Sequence, residues 1–186
     1  MAKDLTGKKI AFLLNNSGVE QVELTTPWQG LRDAGAETVL IAPEQGQVQA
    51  FNNDVEKADT FDADLAVADA KVADYDALVI PGGTTNADSL RTVSDAVAFA
   101  KGFVEAKKPI AAICHGPWTL VEAGVLDGKT LTSYPSLHTD IVNAGGTWVD
   151  KESFTCPTNG WTLVTSRDPD DLPAFVEAAT DAFASQ

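Results

Sequence analysis

Short apolar segments that alternate with amphipathic helical segments constrain the fold of this chain more than any other feature. Predicted strands cover residues 9–14, 37–42, 77–80, 108–113, 130–133 and 161–165, with a possible hairpin arm at 47–51. Predicted helices cover residues 19–34, 94–106, 118–123 and 137–144, and a final helix has Pro173 in its first turn. Strands and helices that alternate in this way predict an α/β fold, with a mostly parallel sheet covered on both faces.

Length and charge set further limits. The 186 residues are 44% hydrophobic, which predicts a single domain spanning residues 1–186. The formal net charge of −14 disfavours nucleic acids and anionic membranes as partners. The polar start at residues 1–9 and the absence of a run of about 18 apolar residues predict a cytoplasmic protein without a membrane segment.

Cys114 lies where a predicted strand ends and a predicted helix begins. A side chain on such a tight turn is held in a strained backbone conformation that needs small neighbours, and Ala112 and Gly116 meet that need. The first turn of a helix favours a thiolate by about 0.3 to 2 kcal/mol. The turn therefore predicts a nucleophile elbow with Cys114 as the nucleophile, although a buried structural cysteine is the alternative.

A cysteine nucleophile needs a group that moves protons, and the chain offers few. It has two histidines. Successive side chains of a helix diverge in direction, so His115 is expected to point away from its neighbour Cys114. His138 is either a second candidate base or a solvent-facing residue. Glu20 follows the first strand, and a protonated Glu20 beside the sulfur would donate a hydrogen bond and lower the pKa of the thiol. Alternatively, Glu20 and Glu23 only complement the helix dipole.

The glycines that follow the third strand complete the predicted site. Gly82 and Gly83 let the backbone approach a ligand and direct N–H groups, together with that of His115, at a developing oxyanion, unless they form only a tight turn. The scattered cysteines and histidines do not have metal-ligand spacing, and the glycines do not match a nucleotide-binding loop. No metal and no cofactor is predicted, and Cys156 is interpreted as a buried or incidental thiol.

Six segments together resemble the PfpI family of intracellular cysteine peptidases and general stress proteins, within the class I glutamine amidotransferase-like superfamily. They are Glu20 with Glu23, residues 77–83, 112–117, 132–135 and 143–145, and residues 165–167 with 170–175. The resemblance implies a flavodoxin-like three-layer sandwich with Cys114 as nucleophile, His115 as its partner and Glu20 as the carboxylate touching the sulfur. It also implies oxyanion or substrate binding at Gly82, Gly83 and Tyr134, and suggests Asp88 as an acid that completes a site across a subunit interface.

The same resemblance implies a cytoplasmic homodimer or larger homo-oligomer with peptidase, glyoxalase or deglycase activity. Addition of a thiolate to a carbonyl requires fewer catalytic groups than peptide hydrolysis, because no poor amine leaving group has to be protonated. We therefore expect a stress-response enzyme acting on reactive carbonyls or peptides. The alternative is a non-catalytic oxidative-stress sensor or chaperone that uses Cys114 as a redox switch. Residues 153–161 depart from the family pattern, so the resemblance does not predict the structure of that edge of the fold.

Overall fold

The computed structural model describes residues 3–185, so residues 1, 2 and 186 of the predicted domain lie outside it. The strands, in chain order, are β1 (Lys9–Leu13), β2 (Ser17–Glu20), β3 (Glu37–Ala42), β4 (Gly46–Asn52), β5 (Glu56–Ala63), β6 (Leu65–Ala66), β7 (Ala77–Ile80), β8 (Ile110–Ile113), β9 (Thr130–Leu131), β10 (Thr147–Trp148), β11 (Phe154–Cys156) and β12 (Leu163–Ser166). The α-helices are α1 (Gln21–Asp33), α2 (Thr84–Leu90), α3 (Ser94–Glu105), α4 (Pro117–Glu122), α5 (His138–Asn143) and α6 (Leu172–Ala184).

A seven-stranded sheet in the order β11-β12-β8-β7-β1-β3-β6 forms the centre of the structure. All neighbouring strands in it are parallel except β11, which pairs antiparallel with β12. The order β3-β1-β7-β8-β12 is the 2-1-3-4-5 order of flavodoxin-like folds, which confirms the predicted fold class. In that order the strand sequence reverses between β1 and β7, and ligands bind beyond the carboxyl ends of the strands at such a point.

Hydrophobic clusters cover both faces of the sheet and make it the middle of three layers. In β1, Ile10 and Phe12 pack into the cluster that contains Phe175 of α6, whereas Ala11 and Leu13 pack into the opposite cluster with residues of α3. Successive strand side chains point to opposite faces, so a strand buried on both sides must be apolar throughout. Each fully buried large side chain contributes about 1.5 to 3 kcal/mol of burial free energy. Among residues 3–185, no helix has the length and apolar character needed to cross a membrane.

Two elements around the first loop were not predicted. Ser17–Glu20 forms β2, which pairs in parallel with β4, so α1 begins at Gln21 rather than at residue 19. The possible hairpin arm is a full antiparallel hairpin of β4 and β5, and the turn between these strands reaches the first residue of α2. Pairing between β2 and β4 joins residues about 30 apart, which local periodicity does not reveal.

Residues 153–161, the segment that departs from the family pattern, form the edge strand β11 and a short 3-10 turn. Lys129 anchors this segment. Its buried ammonium group donates hydrogen bonds to the carbonyls of Cys156, Thr158 and Trp161, and it lies 3.8 Å from the centroid of the Trp161 ring. Burial lowers the pKa of Lys129 to about 8. A buried cation is tolerated here because carbonyl oxygens and an aromatic face replace its water shell.

Candidate active site

Cys114 sits directly after β8 with a backbone φ of +60°, in the left-handed region that a residue other than glycine rarely adopts. Such a conformation costs about 1 to 3 kcal/mol and persists only where the surroundings impose it. Here the Cys114 amide donates to the carbonyl of Ser166 in β12, and a Cβ at Gly116 would lie 2.6 Å from the carbonyl oxygen of Ile80. The predicted strained turn with small neighbours is therefore present at Cys114.

At this strained turn the side chain of His115 points toward Cys114 and not away from it, as regular helical geometry predicted. Its Nδ1 lies 3.1 Å from Cys114 Sγ, although the two residues are adjacent in the chain. The ring stacks on Tyr134, with centroids 4.7 Å apart and planes 25° apart, and meets the edge of Trp118. Burial lowers the pKa of His115, and the negative charge of Asp54 opposes that shift. His115 is thus held neutral, in contact with the sulfur, by two aromatic neighbours.

The carboxyl group facing Cys114 belongs to Glu23, not to Glu20 as the sequence predicted. A Cβ at Gly82 would lie 2.1 Å from Glu23 Oε2 and 2.6 Å from Cys114 Cβ, so these groups meet at one point that only a glycine leaves open. Glu20 instead accepts hydrogen bonds from the backbone N–H groups of Asn53 and Asp54, each at 3.0 Å. The prediction failed because β2 runs through Glu20, so the first turn of α1 carries Glu23, three residues later, into the interior.

Burial dominates the ionisation of both partners. It raises the pKa of Glu23 from its ordinary 4.5 to about 8, and the negative charges of Glu20 and Asp54 add to that rise. Neither Glu23 oxygen has a hydrogen-bond partner of good geometry among the described residues; the groups that face it are the Cys114 thiol and the Gly82 amide. At neutral pH the Glu23 carboxyl is therefore mostly protonated and able to donate a hydrogen bond to the sulfur.

The thiol itself differs from the expectation of a depressed pKa. Burial raises the pKa of Cys114, an ionised Glu23 raises it further, and the backbone N–H groups of Gly83 and His115 oppose the rise. The helix terminus contributes too little to offset burial of a side chain that is only 6% exposed. Cys114 consequently needs a base at the moment it reacts, and His115 Nδ1 is in place for that role.

A cavity of about 340 Å³ opens above the sulfur. Its lining consists of residues from six segments of the chain: Glu20, Glu23, Asn53, Asp54, Gly83, Thr84, Cys114, His115, Tyr134 and Pro169. The N–H groups of Gly83 and His115 that face the sulfur are positioned to receive an oxyanion formed there. Asp88 is exposed on α2 and is not among the lining residues, so an in-trans role for it stays a prediction.

Sequence reasoning gave no role to four of the lining residues, Asn53, Asp54, Thr84 and Pro169, and two of these reach His115. The Asp54 carboxylate accepts hydrogen bonds from the Thr84 amide at 2.7 Å and from the Thr84 hydroxyl at 2.8 Å. Thr84 Oγ1 in turn lies 3.4 Å from His115 Nε2. Asp54 lies in the turn between β4 and β5, and the only sequence signal for it was the polar Asn-Asn-Asp run at residues 52–54.

The other reactive side chains lie elsewhere. His138 begins α5 and packs against Trp148, with ring centroids 5.0 Å apart, and is not among the residues lining the cavity. Cys156 is a buried free thiol in β11, beside Thr130 and Thr158. Within residues 3–185, no three His, Cys, Asp or Glu side chains are grouped as a metal would require.

Comparison with known proteins supports the same assignment of fold and family. The sequence model that describes the DJ-1/PfpI family matches residues 8–182. General stress protein 18 of Bacillus subtilis is 41% identical over 169 residues, covering 91% of this chain and 94% of that protein. The protein named "Putative cysteine protease YraA", also of Bacillus subtilis, is 41% identical over 168 residues, covering 90% and 94%.

A third relative carries a different functional name. Protein/nucleic acid deglycase 2 of Escherichia coli is 38% identical over 169 residues, covering 90% of this chain and 93% of that protein. Among solved structures, a two-domain protein of Anabaena variabilis with a DJ-1/ThiJ/PfpI-like and a ferritin-like domain matches with a TM-score of 0.84 and 33% identity. The match covers 94% of this chain and 47% of that one.

Proposed function

This chain belongs to the DJ-1/PfpI family, and we propose that it is a cysteine-dependent enzyme that acts on small reactive carbonyl compounds such as methylglyoxal. Relatives named "General stress protein 18", "Putative cysteine protease YraA" and "Protein/nucleic acid deglycase 2" support a family of stress-related enzymes. The observation that carries the proposal is the contact of Cys114 Sγ with His115 Nδ1 at 3.1 Å, with the Glu23 carboxyl facing the same sulfur.

In the proposed first step the Cys114 S–H bond breaks, its proton passes to His115 Nδ1, and an S–C bond forms with the aldehyde carbon. The electron pair of the carbonyl moves to its oxygen, which the N–H groups of Gly83 and His115 stabilise. Glu23 then gives its proton to this oxygen and becomes a carboxylate, which removes the proton from the same carbon. The His115 cation then protonates the second oxygen to give an enediol, Glu23 returns its proton to the neighbouring carbon, and His115 removes the proton of the first hydroxyl, which leaves a hydroxyacyl thioester. Water attacks the thioester and gives a proton to Glu23, and the departing Cys114 sulfur takes the proton of His115, so that all three groups are restored.

The cavity supports a small substrate. Its volume of about 340 Å³ is at the lower end of the range for small-molecule sites, about 300 to 1,000 Å³. Peptide hydrolysis would in addition require protonation of an amine leaving group. The buried thiol also favours an enzyme over an oxidation sensor, because burial raises the pKa of Cys114, whereas a sensor needs a thiolate in its resting state.

We also propose a cytoplasmic location and assembly into a homodimer or larger homo-oligomer, following the family resemblance. Both proposals are independent of the chemistry above. Size-exclusion chromatography with light scattering measures the assembly directly, and a monomer at all concentrations would contradict it.

The test is a screen of the purified protein with methylglyoxal, a methylglyoxal-glycated thiol and fluorogenic peptides. We expect methylglyoxal consumption that disappears in Cys114→Ala and falls by at least about 10²-fold in Glu23→Gln, which keeps a hydrogen-bond donor but cannot transfer protons. Glu105→Gln is the matched control and should keep full activity, because Glu105 is exposed on α3 and does not line the cavity. Turnover of peptides alone, or full activity of Glu23→Gln, would overturn the proposal.

A further inference from the structure

We propose that Asp54 and Thr84 are positioning residues that set the proton of His115 on Nε2, so that Nδ1 faces Cys114 as a base supplied entirely within one chain. The inference rests on the proposed function, in which His115 takes the thiol proton. It assigns a role to two residues that none of the sequence motifs includes, and it concerns orientation rather than contact with substrate.

The direction of the hydrogen bonds determines the tautomer. The Thr84 amide donates to one oxygen of Asp54, at 2.7 Å, and the Thr84 hydroxyl donates to the other, at 2.8 Å. A hydroxyl has one proton, so Thr84 Oγ1 presents only lone pairs to His115 Nε2, 3.4 Å away. Toward Thr84, Nε2 must then be the donor. Ser136 Oγ, 3.3 Å from the same nitrogen, is a hydroxyl that accepts from a protonated Nε2 or donates to an unprotonated one, so the Thr84 contact carries the assignment.

A neutral imidazole has one protonated nitrogen, so a proton on Nε2 leaves a lone pair on Nδ1. That lone pair faces Cys114 Sγ at 3.1 Å, within the distance of a hydrogen bond to sulfur. When the thiol proton moves to Nδ1, the ring becomes a cation that donates through both nitrogens. The Asp54 carboxylate, reached through Thr84, stabilises that cation, in agreement with its opposing effect on the lowered pKa of His115.

The turn between β4 and β5 is built to hold Asp54 in this place. Asn53 and Asp54 both have left-handed backbone conformations, with φ of 53° and 64°. Glu20 satisfies both of their N–H groups with one carboxylate. Consecutive left-handed residues are strained unless something fixes them, and here the fixed turn delivers the Asp54 carboxylate to the first residue of α2. The result is an in-chain acid for the Cys114–His115 pair, which the sequence had not revealed.

The decisive measurement is the 15N NMR spectrum of histidine side chains, which distinguishes a protonated from an unprotonated ring nitrogen. The chain has two histidines, so the spectrum of His138→Gln assigns His115. We expect Nε2–H in the native protein. Asp54→Asn should convert it to Nδ1–H: the Thr84 amide retains the amide oxygen, the new NH2 group donates to Thr84 Oγ1, and the Thr84 hydroxyl turns toward Nε2.

Thr84→Val removes the hydroxyl at nearly constant volume and should give a mixture of tautomers, whereas Thr84→Ser should restore Nε2–H. Thr85→Val is the matched control, because Thr85 is the exposed next residue on α2 and does not line the cavity. Native protein with Nδ1–H, or an unchanged tautomer in both Asp54→Asn and Thr84→Val, would overturn the inference.

Kinetics provide the second readout. For methylglyoxal we expect kcat/KM to fall about 10²-fold in Asp54→Asn, at the lower end of what a positioned base contributes, and about tenfold in Thr84→Val, which gives a mixture of tautomers. Thr84→Ser should recover most of the Thr84→Val loss. If the native protein shows no Cys114-dependent turnover, the proposed function fails, but the NMR spectra still decide whether Asp54 and Thr84 set the tautomer. Active protein in which both variants stay within twofold of native would refute the positioning role.

Discussion

Replacing Glu23 by Gln should stabilise the fold progressively as pH rises, while it removes activity. Glu23 is fully buried and its pKa is raised from 4.5 to about 8. Below pH 4.5 the carboxyl is protonated in both the folded and the unfolded chain, and it costs nothing. Above that pH the Glu23 carboxyl ionises in the unfolded chain but stays protonated in the folded chain. The free energy of unfolding therefore falls as pH rises from about 4.5 to about 8.

The size of the effect follows from the two pKa values. A rise from 4.5 to about 8 corresponds to about 5 kcal/mol once Glu23 is ionised in both states, and about 3 kcal/mol of that is present at pH 7. Glutamine has nearly the same shape and does not titrate. The difference in unfolding free energy between Glu23→Gln and native protein should therefore be near zero at pH 4 and grow by about 1.4 kcal/mol per pH unit between roughly pH 5.5 and 7.5.

The assay is urea unfolding followed by tryptophan fluorescence, for which the chain has four tryptophans, at pH values from 4 to 9. Taking the difference between variant and native protein cancels the titration of the other carboxylates. Glu105→Gln, a Glu-to-Gln change at an exposed position of α3, is the matched control. A difference that stays flat across this pH range would refute the argument that Glu23 is buried without adequate partners.

Three further outcomes are expected. Gly82→Ala should destabilise the protein by about 1 to 3 kcal/mol in urea unfolding and abolish methylglyoxal turnover, because its Cβ would lie 2.1 Å from Glu23 Oε2; normal activity would contradict the placement of Glu23. Lys129→Met should cost about 3 kcal/mol by leaving three carbonyls unpaired, with faster hydrogen exchange in β11, and an unchanged exchange rate would argue against it. Tyr134→Ala uncovers His115, so the His115 pKa, lowered by burial, should rise toward its ordinary value in an NMR titration, and a constant value would be contrary to this reasoning.

The elements that sequence reasoning located best are those whose signal is local. β3 has the predicted bounds at residues 37–42, and β1, β7, β8 and α3 differ from prediction by at most two residues at either end. These segments are apolar throughout or repeat at helical spacing, because both faces of the sheet are buried. The nucleophile elbow is likewise encoded in contiguous residues, since the small neighbours of Cys114 are two positions away on either side.

The tertiary structure alone decided which acids serve the site. Glu20 and Glu23 are three residues apart at the start of one helix, and the sequence gives both the same local suitability for its first turn. The parallel pairing of β2 with β4 extends the strand through Glu20, which leaves Glu23 to enter the core. Asp54 reaches Thr84 across 30 residues of chain for the same reason, since it depends on how a hairpin folds over the sheet. Local pattern determines which segments form strands and helices, whereas contacts between distant segments determine which carboxylates meet the sulfur and the imidazole.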